Sequence, residues 1–315
     1  MSKIVPSLSP PPGFHPKTPE MIGRRAEFER VQQYLVKRGE RHFVYYKAEG
    51  GLGKTRLLEE LQKLVAAAGE GYRTCGSIDF YHTDTHSTSD IERAIVDGLD
   101  PDGNYFPEYR KKRAHYLHLR ELGSDPAVLE KLRAELSAIF VRECNWMALY
   151  ERKLVLCFDT VELLQYESSA VEEQAGLDAV DARVKPWMLK VLSQLQNVLV
   201  VLAGRPKQPP LGEQIDPQAR LEADMRAAFG DDLQIVELLP LTLSETEELV
   251  RALSNGQQLI PADRLPLIYR LSGGKPILLH LLVDLLGGLS PEPGRVLALF
   301  DRWADLADAV PEDPG

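Results

Sequence analysis

His42-Phe43-Val44-Tyr45-Tyr46-Lys47-Ala48-Glu49-Gly50-Gly51-Leu52-Gly53-Lys54-Thr55-Arg56 is the stretch from which the rest of the chain is read. His42 to Tyr46 has the length and the aromatic and β-branched content of a buried strand, and it runs directly into a glycine-rich loop. Beyond the loop Leu57, Leu58, Leu61, Leu64 and Val65 share one face of a helix, which Gly69 to Gly71 stop. A loop that cradles phosphates must turn backbone N–H groups inward, and it needs glycine where a side chain would block the approach or the dihedrals are unusual. Gly50, Gly51 and Gly53 meet that need, with Glu49 and Leu52 between and beside them. The helix that follows points its positive end at the anion. Lys54 can reach the β- and γ-phosphates, the Thr55 hydroxyl can coordinate Mg²⁺, and Arg56 completes the candidate set. One position departs from the GxxxxGK[ST] pattern: its first glycine is Ala48.

Working outward, strands are expected at Arg73 to Phe80, Leu154 to Phe158, Val198 to Ala203 and Leu233 to Leu238, separated by helical sequence. This alternation predicts an α/β fold: a mainly parallel five-stranded sheet flanked by helices, followed by a small all-helical domain. Residues 1–20, with six prolines, read as an extended arm, 21–240 as the phosphate-loop domain, 241–305 as a helical lid and 306–315 as a tail or linker. Within the large domain, residues 101–150 form a helical insertion suited to a lid or a partner surface, with Val128, Leu129, Leu132, Leu136, Ile139 and Phe140 on one face. Ser244 and Glu247 read as the capping box that opens the helical domain.

Phosphate chemistry with a metal needs a carboxylate at the end of a buried strand, and Leu154-Val155-Leu156-Cys157-Phe158-Asp159 supplies it. Asp159 is the candidate metal-shell residue beside Thr55. Glu162 is either the group that orients attacking water or a solvated residue at the next helix start. Arg205, after the following strand, is either a cation for the γ-phosphate or half of a structural salt bridge.

The formal charge of −10 on 315 residues argues against an extended basic surface. Arg110-Lys111-Lys112-Arg113 is the local exception, read as a solvated helix face. Cys75, Cys144 and Cys157 include no CxxC pair and are expected reduced and buried. No run approaches the roughly 20 apolar residues of a membrane span, and the proline-rich start lacks a secretory h-region, so the expectation is a cytoplasmic protein without membrane contact. His82-Thr83-Asp84-Thr85-His86 reads as a polar loop rather than a metal site. Trp146, Trp187 and Trp303 read as core.

Two more segments complete a set: Met21-Ile22-Gly23-Arg24-Arg25-Ala26-Glu27 before the first strand, and Gly274-Lys275-Pro276 in the helical domain. With the P-loop, Asp159 and Arg205 in order, the chain resembles the STAND class of signal-transducing NTPases within the wider AAA+ group, over roughly residues 20–285. The resemblance implies an ATP/ADP-dependent switch with slow, weak ATPase activity and Mg²⁺ as cofactor. It places Gly23 and Arg24 near the adenine and Pro276 near the base or ribose. It further implies a protein effector or sensor subunit as partner and a nucleotide-dependent homo-oligomer. Two other readings stand beside it: a DNA-linked AAA+ ATPase of origin-recognition or transposition-regulator type, and a nucleotide-binding subunit without turnover.

Overall fold

The computed structural model describes residues 21–82, 87–165, 184–206, 217–254 and 260–289, together with 298, 300, 302 and 303. The N-terminal arm, the C-terminal tail and residues 83–86 of the histidine loop lie outside the described residues. Helix α1 (Arg25–Leu35) leads to β1 (His42–Lys47), α2 (Lys54–Ala67), β2 (Tyr72–Asp79), α3 (Thr88–Leu99), α4 (Pro107–Glu121) and α5 (Pro126–Tyr150). Then come β3 (Lys153–Asp159), a 3₁₀ turn at Val161–Gln165, α6 (Val184–Leu192), β4 (Val198–Gly204), α7 (Pro217–Phe229) and β5 (Leu233–Glu237). The chain continues with α8 (Leu243–Leu253), α9 (Leu265–Ser272) and α10 (Pro276–Leu289).

Every strand pairing is parallel, in the order β2-β3-β4-β1-β5. Such a sheet must be covered on both faces, because its strands are joined by crossovers. In the central strands residues of both parities are buried: Phe43 and Val44, Leu154 and Val155, Val200 and Val201 are each at most 1% exposed. On one face α1 closes the sheet, with Tyr46 Oη donating to Glu27 O and Tyr34 Oη to Gln234 Oε1. At the edge, β2 is irregular between Thr74 and Ser77, and Gly98 lets α3 approach it; a β-carbon there would lie 2.5 Å from Cys75 Cα.

The 101–150 insertion is not a separate lid. Phe106, Tyr109, Tyr116, Leu136, Phe140 and Met147 belong to the same apolar cluster as the strand residues Phe43, Leu156 and Val200. Buried polar contacts fasten it further: Arg133 meets Glu92 at 2.9 Å, and Ser137 Oγ and Trp187 Nε1 each donate to that carboxylate at 2.7 Å. Two details differ from the periodic reading. Val128, in the first turn of α5, is 47% exposed because the buried stripe begins one residue later, at Leu129. Trp146 is 45% exposed and packs edgewise against Tyr105 and Tyr150, whereas Trp187 is core.

Two compact units divide the chain. The first holds Ala26–Ala48 and Leu57–Glu237; the second joins Glu49–Arg56 to the chain from Leu238 onward, together with the segment ending at Arg25. In the second unit Leu249, Val250, Leu253, Ile268, Leu279, Val283 and Leu286 form a core of their own, against which Ile22 packs. Its opening cap is Thr242 with Glu245, not Ser244 with Glu247: the Thr242 hydroxyl accepts from the Glu245 N–H while the Glu245 carboxylate accepts from the Thr242 N–H. The same S/T-x-x-E spacing occurs two residues earlier, and only there do Leu249, Val250 and Leu253 turn inward.

Candidate functional site

Strand β1 ends at the carboxyl edge of the sheet, where the Ala48 N–H still bonds Gly204 O at 3.1 Å. Ala48 is 2% exposed and is not among the residues with positive φ, so the position where the loop pattern expects glycine asks nothing that alanine cannot give. The conformational demand falls later, on Gly51 (φ +83°) and Gly53 (φ +85°). α2 begins at Lys54, so the positive end of its helix dipole lies where the loop ends.

Within the second unit the carbonyls of this loop are held one by one. Lys54, 8% exposed, donates from Nζ to Glu49 O at 2.8 Å. The Ile277 N–H, at the start of α10, bonds Gly51 O at 3.3 Å. Arg24 reaches Leu52 O from NH2 at 3.1 Å. Three carbonyls of the loop, at Glu49, Gly51 and Leu52, thus have fixed partners. The three segments that stand apart in sequence, Gly23-Arg24, the loop and Gly274-Lys275-Pro276, thus meet in one unit. Close packing enforces this. A β-carbon on Gly51 would lie 2.3 Å from Ile277 Cγ2, and one on Gly23 2.7 Å from Leu241 Cδ2. Lys275 Nζ also meets the Glu49 carboxylate at 2.7 Å, and this ammonium holds the Glu49 carboxyl below its ordinary range. Thr55 is exposed and Pro276 occupies the first turn of α10.

In the first unit Asp159 is the last residue of β3 and 3% exposed. It pairs in register with Asp79 at the end of β2, so two carboxylates stand at neighbouring strand ends. Thr160, with φ +58°, joins them: its N–H donates to Asp159 Oδ1 at 2.8 Å and its hydroxyl to Asp79 Oδ1 at 2.6 Å. Glu162 is not solvated. It is 9% exposed in the 3₁₀ turn, close to Gly204, and Arg205 Nε lies 3.6 Å from its Oε1 while the Arg205 side chain stays 63% exposed. Glu162 and Arg205 therefore stand together beyond β3 and β4. Asp79 and Thr160 escaped the sequence reading, which noted Lys275 only within the Gly274-Lys275-Pro276 motif. Asp79 had a signal, since Gly76-Ser77-Ile78-Asp79 is a strand ending in aspartate just as Cys157-Phe158-Asp159 is.

Three of the four cations in the basic run of α4 are paired within its own unit, Arg110 with Asp97 at 2.9 Å, Lys112 with Glu135 at 2.5 Å and Arg113 with Asp90 at 2.9 Å, while Lys111 is exposed. Among the described residues no cluster of His, Cys, Asp and Glu suits a metal ion, and no helix is long and apolar enough to cross a membrane. Cys144 and Cys157 are buried, Cys75 is partly so, and none forms a disulfide.

No protein-family model matches the sequence, and no curated protein is found similar to it. Among solved structures, the ORC2 protein of Aeropyrum pernix in ADPNP and ADP complexes aligns with a TM-score of 0.49 and 14% identity, over 88% of this chain and 65% of that one. Cdc6p of Pyrobaculum aerophilum gives 0.47 and 12%, over 90% and 65%. AMPPCP-bound DnaA of Aquifex aeolicus gives 0.41 and 15%, over 84% and 61%. The chain spans less than two thirds of the length of each.

Proposed function

We propose that the chain binds ATP and ADP at the Glu49–Arg56 loop, hydrolyses ATP slowly, and reports which nucleotide is bound through its helical unit. The observation that carries this reading is the fastening of three loop carbonyls, at Glu49, Gly51 and Leu52, by Lys54, the Ile277 amide and Arg24. A loop built this way is preorganised for phosphate, and any shift of it on gaining or losing a γ-phosphate is felt directly at the start of α10. Lys54 would exchange its carbonyl for phosphate oxygens. The Thr55 hydroxyl and the Asp159 carboxylate are hard oxygen donors of the kind magnesium takes. Magnesium, when bound, would neutralise phosphate charge and fix the oxygens that carry it. Asp79, held to the same Thr160 as Asp159, would orient that carboxylate. Glu162, buried and beside Arg205, is the residue we assign to positioning the attacking water, and Arg205 is the cation that answers charge developing on the γ-phosphate. Gly23, Arg24 and Pro276 are the residues we assign to the base and ribose.

The test is to denature the purified protein and quantify released nucleotide. Near-stoichiometric ADP from the parent and little from Lys54→Ala supports the reading. A parent that releases none and takes up no added ATP defeats it. Glu162→Gln should slow turnover by about 100-fold or more while ATP still binds. A protein effector answering to the ATP state, or self-assembly on ATP, belongs to the same reading. Turnover stimulated by duplex DNA would instead assign the chain to the DNA-linked alternative.

A further inference from the structure

The strands are all parallel, so their starts share one edge of the sheet, and Asp159, Glu162 and Arg205 stand at the other. At the starting edge an open cleft of about 900 Å³ lies between the turn that enters β2 and the end of α5. Three arginines line it: Arg38 after α1, Arg73 in β2 and Arg152 between α5 and β3. The backbone fixes where their side chains start. The Arg152 N–H bonds Gly71 O at 2.6 Å, Arg73 pairs in register with Leu154, and a β-carbon on Gly71 (φ +86°) would lie 2.9 Å from Arg152 Cγ. Most of their donors are unspent. Arg38 uses NH2 on Leu149 O at 3.2 Å and Arg73 uses Nε on Glu151 Oε1 at 2.9 Å, while the exposed Arg152 guanidinium has no partner among the described residues. Of the two acids that line the cleft, Glu151 is buried behind Arg73 and Glu70 is exposed, so a positive patch remains in a chain of net charge −10.

Apolar groups adjoin these cations. Leu149 and Tyr150, in the last turn of α5, are 65% and 63% exposed, and the ring of Trp146, one turn earlier, lies 5.4 Å from that of Tyr150. Large apolar side chains left in water beside unspent guanidinium groups are the composition of a protein interface, and the planar fork matches a carboxylate with two N–H groups to two oxygens. Single-stranded nucleic acid fits this surface less well. Bases stack on open ring faces, whereas Trp146 stands at 57° to Tyr105 and 74° to Tyr150, packed against both, and three cations neutralise few phosphates. We propose that the cleft docks an acidic segment of a partner protein, with carboxylates on Arg38, Arg73 and Arg152 and an aromatic or leucine side chain against Leu149, Tyr150 and Trp146. The surface is independent of the nucleotide site.

Random peptides of roughly 12 residues, displayed on phage and selected on the full chain, test this. Selection on the parent should enrich sequences rich in Asp and Glu that carry an aromatic or leucine residue. The same selection on Arg38→Glu with Arg152→Glu should lose those sequences and enrich Lys and Arg. In fluorescence anisotropy the best acidic peptide should bind Arg152→Ala about tenfold more weakly than the parent and Trp146→Ala about threefold more weakly, with Lys111→Glu on α4 unchanged. Arg152→Ala removes no hydrogen bond of its guanidinium, so its melting temperature should match the parent's and its loss of binding reads the contact itself. No enriched sequence on the parent, enriched sequences without acids, or an acidic peptide that binds the charge-reversed variant as it binds the parent would each overturn the proposal. A labelled single-stranded oligonucleotide held by the parent and released by the charge-reversed variant would give the cleft to nucleic acid and overturn it as well.

Discussion

Arg24 has a backbone φ of +98°, a conformation that costs a residue with a β-carbon about 1–3 kcal/mol. The surrounding structure holds it there, and its guanidinium reaches the Leu52 carbonyl. Arg24→Gly removes both the strain and the hydrogen bond. The expected outcome is ATP binding weakened about tenfold with the melting temperature unchanged or slightly raised. Lower stability at unchanged affinity would make Arg24 a structural residue only. At Gly51 the same conformation is needed without strain, and a methyl group would collide with Ile277. Gly51→Ala should therefore lose nucleotide binding and destabilise its unit by about 1–3 kcal/mol, read from denaturant unfolding. Both positions were visible in the sequence as members of motifs. What each does was not, because Leu52 and Ile277 lie 28 and more than 200 residues away along the chain.

The elements are joined by a few buried polar groups whose pairing decides how firmly they hold. Glu92 on α3 is fully buried and accepts from Arg133 and Ser137 on α5 and from Trp187 on α6. Arg133→Met leaves that carboxylate without its countercharge and should cost about 3–5 kcal/mol by urea unfolding, a loss that Glu92→Leu in the same chain should partly restore. At the start of β3, Lys153 is buried and donates from Nζ to Lys37 O and Glu40 O, tying the strand to the turn after α1. Desolvation pushes its pKa down to about 8. Since the unfolded lysine titrates near 10.4, Lys153 by itself binds more protons in the unfolded chain between about pH 8 and 10.4, and its own contribution to stability rises with pH across that window. The neutral amine keeps two N–H groups for the two carbonyls. The difference in melting temperature between the parent and Lys153→Met should therefore shift in the parent's favour from about pH 8 to 10.4, and a difference independent of pH would refute the assignment. None of these pairings has a periodic signature: a buried ion pair looks in sequence like any two charges on helical faces.

Within a chain of net charge −10, three of the four cations of the basic run at 110–113 are answered by acids of neighbouring helices. Duplex DNA binding through that run would require breaking these pairs. The expected result at about 0.15 M salt, where charges are screened beyond about 8 Å, is no mobility shift for the parent and none for a variant with residues 110–113 neutralised. A salt-sensitive shift abolished in that variant would carry the DNA-linked reading instead. At this scale the sequence by itself determined the class of fold, because the hydrophobic periods of five strands and their helices are local properties. It likewise placed the glycine-rich loop between β1 and α2 and Asp159 at the end of β3. Tertiary structure alone decided that the insertion shares the core of the sheet, that Thr242 rather than Ser244 caps α8, and that Asp79 stands beside Asp159. It also brought Arg24, Lys275 and Ile277 onto the loop. Periodicity records which face of an element is apolar, whereas these outcomes depend on which distant atoms a hydrogen bond or a missing β-carbon allows to meet.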